Sequence, residues 1–87
     1  NVMTQQISCD AHDYFEIVAM RKSLVSVTTF SGNEVRGIAN DIVRIDEQEQ
    51  LELLVDNAKQ HIKLTDIAQL KAEGNRMVQH NFTVDFS

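Results

Sequence analysis

The sequence has no proline, no tryptophan and only one cysteine, Cys9, among its 87 residues. A single cysteine cannot form an internal disulfide, and this usage is typical of a reducing compartment, so we expect a cytoplasmic protein. The sequence lacks any apolar run long enough to span a membrane, and residues 1–6 lack the basic and then apolar pattern of a signal peptide. At this length we expect one domain with a small core.

Basic residues are also scarce. Eight lysines and arginines face thirteen aspartates and glutamates, which gives a formal net charge of -5. Proteins that bind nucleic acid directly neutralise its phosphates with lysine and arginine, so this composition disfavours direct binding of RNA or DNA. An acidic surface suits a basic partner instead, including a protein that itself holds nucleic acid.

A helix is predicted near the start of the chain, over residues 10–22. Asp10 is placed to be its N-cap, and Asp13 falls where the acid of a capping box would reach back. The acids of the first half and the basic Arg21 and Lys22 at the end both complement the helix dipole. This pattern by itself indicates a well-capped helix and no particular function.

The rest of the chain predicts short strands joined by tight turns, because β-branched residues and polar–apolar alternation recur throughout it. The expected strands span 23–30, 34–39, 42–45, 51–55 and 68–72. A tight turn at 56–57 leads into residues 58–64, and the other connections are a turn at 31–33, a charged loop at 46–50 and a helical turn at 65–67. Gly37 predicts a bulge or a sharp bend in its strand. Residues 66–73 also fit a helix on propensity alone, so that alternative stays open.

One helix followed by about five short strands predicts a mostly β fold with one N-terminal α-helix. Short strands protect their edges best by curling into a barrel, so we expect a small five-stranded bent barrel of the Sm-like type. A single domain then spans residues 1–87. Its parts are a tail at 1–7, the helix at 10–22, the barrel at 23–73 and a C-terminal strand or tail at 77–87.

A cluster at the head of the helix raises the question of a metal or catalytic site. Its members are Cys9, Asp10, His12, Asp13 and Glu16. His12 and Glu16 are one helical turn apart, but a zinc site needs three or four ligands and no second His/Cys pair follows. Cys9 near His12 suggests a nucleophile and a base, yet no glycine-rich elbow accompanies them. We therefore predict no metal, no cofactor and no enzymatic activity; a small metal-dependent enzyme is the alternative.

Helical periodicity divides the helix into two faces. Phe15, Val18 and Ala19 share one face with Ala11 and should pack on the sheet. The other side carries Asp10, Asp13, Glu16, Ile17 and Met20. Carboxylates interleaved with apolar side chains suit protein recognition. The alternative is that the sheet curls round the helix and buries the two apolar residues.

A second concentration of acids lies between residues 41 and 56, where Arg44 is the only base. The acids are Asp41, Asp46, Glu47, Glu49, Glu52 and Asp56. Such a run is commonly a solvated loop, and it also adds to the field that steers a basic partner.

The order of these features is similar to that of a known family. The spacing Ile7-x-Cys9-Asp10-x-x-Asp13-x-x-Glu16, then an apolar stretch, Gly32 and Ala39-x-Asp41-Ile42, resembles the Rof family, the Rho-binding antiterminators of bacteria. The later Ile62-x-Leu64-x-x-Ile67 also follows the family pattern of a strand and a turn. The resemblance covers Ile7 to Ala72, and family members have an N-terminal helix on an Sm-like barrel.

The resemblance implies that the chain binds the transcription termination factor Rho on its N-terminal, OB-fold RNA-binding domain and so inhibits Rho-dependent termination by blocking RNA loading. The family's acidic helix residues correspond to Asp10, Asp13 and Glu16, which we expect to contact Rho. His12 and Tyr14 follow the family less closely. The further candidate contacts are Tyr14, Ile17 and Met20 on the helix and Asp46 and Glu47 in the loop.

An Sm-like domain that forms a ring and binds RNA itself is the alternative function. The net charge of -5 and the lack of a basic loop with an aromatic residue argue against it.

Overall fold

The computed structural model describes residues 9–86, and the side chains of residues 12–78 and 80–86. Within these residues the chain forms one helix, six strands and two single turns of 3-10 helix. They are α1 (Cys9–Arg21), β1 (Leu24–Thr29), β2 (Glu34–Ile45), β3 (Gln48–Val55), β4 (Ala58–Lys63), a 3-10 turn (Leu64–Asp66), β5 (Ile67–Glu73), a 3-10 turn (Val78–His80) and β6 (Phe82–Asp85). None of the described helices has the length and apolar character needed to cross a membrane.

All six strands belong to one antiparallel sheet with the order β4-β3-β2-β1-β5-β6. Strands β1 to β4 follow one another as hairpins, and β5 returns to pair with the free side of β1. The mostly β class with one N-terminal helix is confirmed. The predicted count of five strands and the closed barrel are not found. The segments expected at 34–39 and 42–45 form one strand, β4 and β6 add two, and the described strands leave β4 and β6 as two separate edges. Strand β6 lies within 77–87, where a strand or a tail was predicted.

Strand β2 is twelve residues long and replaces the two short strands expected at 34–39 and 42–45. The register with β3 shifts between Ala39 and Asp41, so Asn40 is an extra residue that the strand absorbs as a bulge. The bulge therefore lies at Asn40 and not at Gly37. Gly37 has a different requirement, since a Cβ atom there would lie 2.5 Å from the carbonyl oxygen of Leu54.

Two-residue turns make the hairpins on either side of β3. Asp46 and Glu47 join β2 to β3, and Asp56 and Asn57 join β3 to β4, with φ between 51° and 69° at all four residues. Left-handed residues of this kind match the twist of the flanking strands. The turn at 56–57 is as predicted, whereas the loop expected at 46–50 shrinks to two residues because residues 48–50 pair with β2.

The core lies between α1 and one face of the sheet. Phe15 and Val18 are fully buried, and Ala19 nearly so, which confirms these three residues of the predicted inner face. The side chain of Ala11 lies outside the described residues. The ring of Phe15 stacks on Phe86 at 5.3 Å between centroids. The strands contribute Val25, Val27, Ala39, Leu51, Leu53, Leu64, Ile67, Leu70 and Ala72. Residues 67–73 form a strand whose apolar side chains join this core, so the helical alternative for them is wrong.

Helix α1 passes into β1 with only two residues between them. Lys22 has φ of 53°, its N–H donates to the Ala19 carbonyl, and the Ser23 N–H donates to the Val18 carbonyl. This pair of bonds is a Schellman-type helix end with lysine in the position that glycine commonly takes. The Ser23 hydroxyl also donates to the Asn75 side chain, at 2.7 Å, which holds the junction against the segment after β5.

Candidate functional site

The outward side of α1 presents the predicted contact residues to solvent. Asp13, Tyr14, Glu16 and Met20 are exposed, Met20 with 76% of its surface accessible, and Ile17 is half-buried. The sheet therefore does not curl round the helix to bury Met20. The result is a surface that combines carboxylates with an exposed apolar side chain.

The start of the helix differs from its prediction. Because α1 begins at Cys9, Asp10 is its second residue and not its N-cap. Asp13 is then the fifth helical residue, beyond the third position where a capping-box acid lies. The side chains of Cys9 and Asp10 lie outside the described residues, so the proposed roles of both as side chains remain predictions.

His12 connects the helix to the sheet. Its Nδ1 lies 3.3 Å from a carboxylate oxygen of Glu16, one turn along α1, and its Nε2 lies 3.1 Å and 3.2 Å from the two carboxylate oxygens of Glu49 on β3. The sequence brings His12 and Glu16 together through helical spacing, but it does not reveal Glu49. Among the described side chains, no group of three or more histidine, cysteine, aspartate or glutamate residues is arranged to hold a metal ion.

A groove of about 410 Å³ runs between α1 and the β2–β3 hairpin beside this contact. Its lining joins three carboxylates to an apolar surface: His12, Glu16, Ala19, Met20, Lys22, Asn40, Asp41, Ile42 and Glu49. The ammonium group of Lys22 is not free in the groove, because Nζ donates to the backbone and side-chain oxygens of Asn40. The groove is therefore acidic around an apolar centre.

The predicted loop contacts lie close to this groove along the chain. Asp46 and Glu47 form the turn at the tip of the β2–β3 hairpin, and both are exposed. Glu49, which contacts His12, is two residues after Glu47 on β3. The His12–Glu49 contact thus joins the helix to β3, the strand that begins directly after this turn.

The opposite face of the sheet holds a polar cluster that the sequence interpretation missed. Glu52 follows Leu51 on β3, so its side chain points away from the helix, and it is only 7% exposed. The Asn40 side-chain amide donates to one of its carboxylate oxygens, and His61 Nε2 lies 3.0 Å from the other. These two bonds, first that of Asn40, hold the pKa of Glu52 below its usual value, with the nearby positive charge of Lys59 acting in the same direction against the opposing effect of burial.

One signal for this cluster is present in the sequence. The turn at Asp56 and Asn57 fixes the β3–β4 register, and that register places Glu52 opposite His61. The third member, Asn40, is available only because of the bulge in β2, which local spacing does not predict.

Comparison with known proteins gives one family and one fold. Residues 6–81 match the family described as "Modulator of Rho-dependent transcription termination (ROF)". A solved structure, YaeO bound to magnesium from Vibrio cholerae O395, is similar with a TM-score of 0.76 at 22% identity, over 86% of this chain and 96% of that one. Comparison with curated proteins found no match.

Proposed function

The chain belongs to the family of modulators of Rho-dependent transcription termination, and from this membership we propose that it inhibits termination by binding the N-terminal RNA-binding domain of Rho. In this proposal the outward side of α1 covers the site at which Rho loads RNA. The family is defined by regulation of termination, so the role requires binding and no catalytic step. Its place of action is the cytoplasm.

The observation that carries the proposal is the exposed acidic and apolar side of α1, with Asp13, Glu16 and Met20 accessible together. An OB-fold that holds single-stranded RNA offers a basic groove with aromatic stacking surfaces. Carboxylates form strong charge-assisted hydrogen bonds with the arginine and lysine side chains that would otherwise hold phosphates. Met20 supplies the apolar contact that the centre of a protein interface commonly contains.

The proposed contact surface extends beyond these three residues. On the helix it includes Asp10, Tyr14 and Ile17, and on the β2–β3 turn it includes Asp46 and Glu47. The helix residues form the main contact, and the turn adds a secondary one. Such a surface should bind less tightly as salt is raised, because exposed charges are screened.

The experiment compares two double substitutions that change the net charge equally. Asp13→Asn with Glu16→Gln removes two carboxylates from the proposed surface, and Asp56→Asn with Asp66→Asn removes two from exposed positions elsewhere. We expect the helix pair to weaken Rho binding by about tenfold or more and the control pair by far less. Binding is measured by pull-down and titration with Rho, with and without competing RNA.

Unchanged affinity of the helix pair would exclude the helix as the contact. Equal losses in both pairs would mean that net charge alone, and no defined surface, attracts Rho.

The alternative function, an Sm-like ring that binds RNA itself, has its own test. An Sm-like ring that binds RNA should elute as an oligomer from a sizing column and shift an RNA probe. We expect neither, because the net charge of -5 opposes RNA binding. A stable ring that binds RNA tightly would replace inhibition of Rho as the function.

A further inference from the structure

His12 has two carboxylates within reach of its ring, and this arrangement depends on its protonation. Both ring nitrogens face a carboxylate, Glu16 on one side and Glu49 on the other. A neutral imidazole has one N–H and can donate to only one of them, whereas the imidazolium ion donates to both. The full set of contacts therefore belongs to the protonated ring.

Charged groups from three elements lie around the groove that His12 lines. Helix α1 contributes Asp13 and Glu16, and β3 contributes Glu49. On β2, Asp41 lines the same groove, and Arg44 is the register partner of Glu49. Lys22 also lines the groove but is bonded to Asn40. Carboxylates thus outnumber the bases near this ring.

His12 contacts two carboxylates that the partner would use for binding. Glu16 belongs to the proposed Rho-binding surface, and Glu49 lies beside it in the groove. An imidazolium that holds both carboxylates competes with an arginine or lysine of the partner for the same oxygens. It also cancels one unit of the negative charge that attracts a basic surface.

We propose that His12 makes Rho binding dependent on pH: the imidazolium form holds Glu16 and Glu49 in internal ion pairs, and the neutral form releases them to the cationic side chains of Rho. This inference rests on the proposed function and adds its regulation. The sign follows from the competition, so acidification weakens binding. By linkage, Rho binding favours release of the His12 proton.

The other two histidines offer no such coupling. His61 contacts Glu52 on the opposite face of the sheet, and His80 lies in the 3-10 turn before β6. Of the two histidine–glutamate contacts among the described side chains, only that of His12 involves a residue of the proposed surface, Glu16.

The experiment measures Rho affinity from about pH 5.5 to about pH 8 for the wild type, His12→Gln, His12→Phe and the control His80→Gln. Every comparison uses the same Rho, so titration of Rho itself cancels. We expect the wild type and His80→Gln to lose about two- to tenfold more affinity on acidification than either His12 variant. Glutamine keeps a hydrogen-bond donor and phenylalanine keeps a ring, so a steric or folding defect in one variant leaves the other as the test.

Two negative outcomes are distinct. If both His12 variants bind Rho with the wild-type pH dependence, His12 does not control binding and the proposed function stands. If no form binds Rho at any pH, the proposed function itself fails. Thermal melts of each variant at both pH extremes establish that folding is not the variable.

Discussion

Two contacts between histidine and glutamate lie on opposite faces of this sheet, and they differ chiefly in burial. His12 contacts Glu16 and Glu49, whose side chains remain 59% and 43% exposed. His61 contacts Glu52, which is almost completely buried and also accepts a bond from the bulge of β2. The same pair of residue types therefore forms an exposed contact on one face and a buried structural contact on the other.

The difference in burial determines how easily each contact can be broken. Exposed ion pairs contribute little free energy because water and salt screen them, so they can be exchanged for contacts with a partner. A buried polar group that loses its hydrogen bonds costs much more, so Glu52 and its neighbours have to stay together. Under the proposed function, binding therefore belongs to the helix side, and the Glu52 cluster serves folding.

The largest expected effect is a loss of overall stability, which would disrupt both the helix surface and the Glu52 cluster. Phe15→Ala removes a fully buried ring that stacks on Phe86, and such truncations cost about 3–5 kcal/mol. That loss is comparable with the whole stability of a small domain. Thermal denaturation followed by circular dichroism provides the measurement. Phe30→Ala, which truncates a ring that is 58% exposed, is the control, and an equal loss in both variants would contradict the place of Phe15 in the core.

The same substitution on the two faces should separate stability from binding. Glu52→Gln removes the charge that Asn40 and His61 surround, so we expect lower stability and unchanged affinity for Rho. Glu49→Gln should leave the free energy of unfolding within about 0.5 kcal/mol and weaken Rho binding. Urea unfolding and a Rho titration of both variants test this contrast. It fails if Glu49→Gln proves the more destabilising change.

The buried cluster should also determine how stability responds to acid. The pKa of Glu52 is lowered in the folded protein from 4.5, mainly by the hydrogen bond from Asn40 and then by that from His61. Its stabilising contribution is therefore complete above about pH 4.5 and is lost as the pH falls through the lower folded value. Unfolding in urea from about pH 6 downward should show a steeper loss for the wild type than for Glu52→Gln. Parallel curves of stability against pH for the two proteins would mean that groups other than Glu52 cause the loss of stability in acid.

The smallest effect concerns the apolar centre of the helix surface. Met20 is highly exposed, so Met20→Ala should change the free energy of unfolding by less than about 0.5 kcal/mol. If Met20 is buried against Rho, binding should weaken about two- to threefold through lost apolar contact. Met77→Ala, at another exposed methionine outside the helix, should leave Rho binding unchanged. Identical affinities of the two variants would remove Met20 from the proposed contact.

The helix side could be predicted because its determinants are local. The period of 3.6 residues alone separates Phe15 and Val18 from Met20, and the structure buries the first two and exposes the third. The turn at Asp56 and Asn57 was likewise predictable, since both residue types tolerate left-handed backbone. The prediction that Asp13 and Glu16 contact Rho depends on a partner, and neither periodicity nor this fold tests it.

The buried cluster could not be predicted in the same way because its members meet through pairing of distant strands. The sequence places Asn40 between two predicted strands, yet it is the bulge of one long strand and bonds Glu52 twelve residues later. Glu52 belongs by sequence to an acidic run that is typical of a solvated loop, and nothing in its neighbourhood along the chain shows that it is buried. A C-terminal strand is one of the two alternatives predicted for 77–87, but the pairing of β6 with the free edge of β5 likewise depends on strands that are distant along the chain.

The junction at Lys22 affects both the rate at which a partner binds and the conformational entropy that is lost on binding. Because the helix turns directly into β1 through a Schellman-type end, and Ser23 is bonded to Asn75, α1 has no linker on which to swing. A rigid surface loses little conformational freedom on association, so more of its contact energy becomes affinity. Association should then proceed in a single bimolecular step, with a rate that rises in proportion to Rho concentration and shows no plateau from a slower rearrangement.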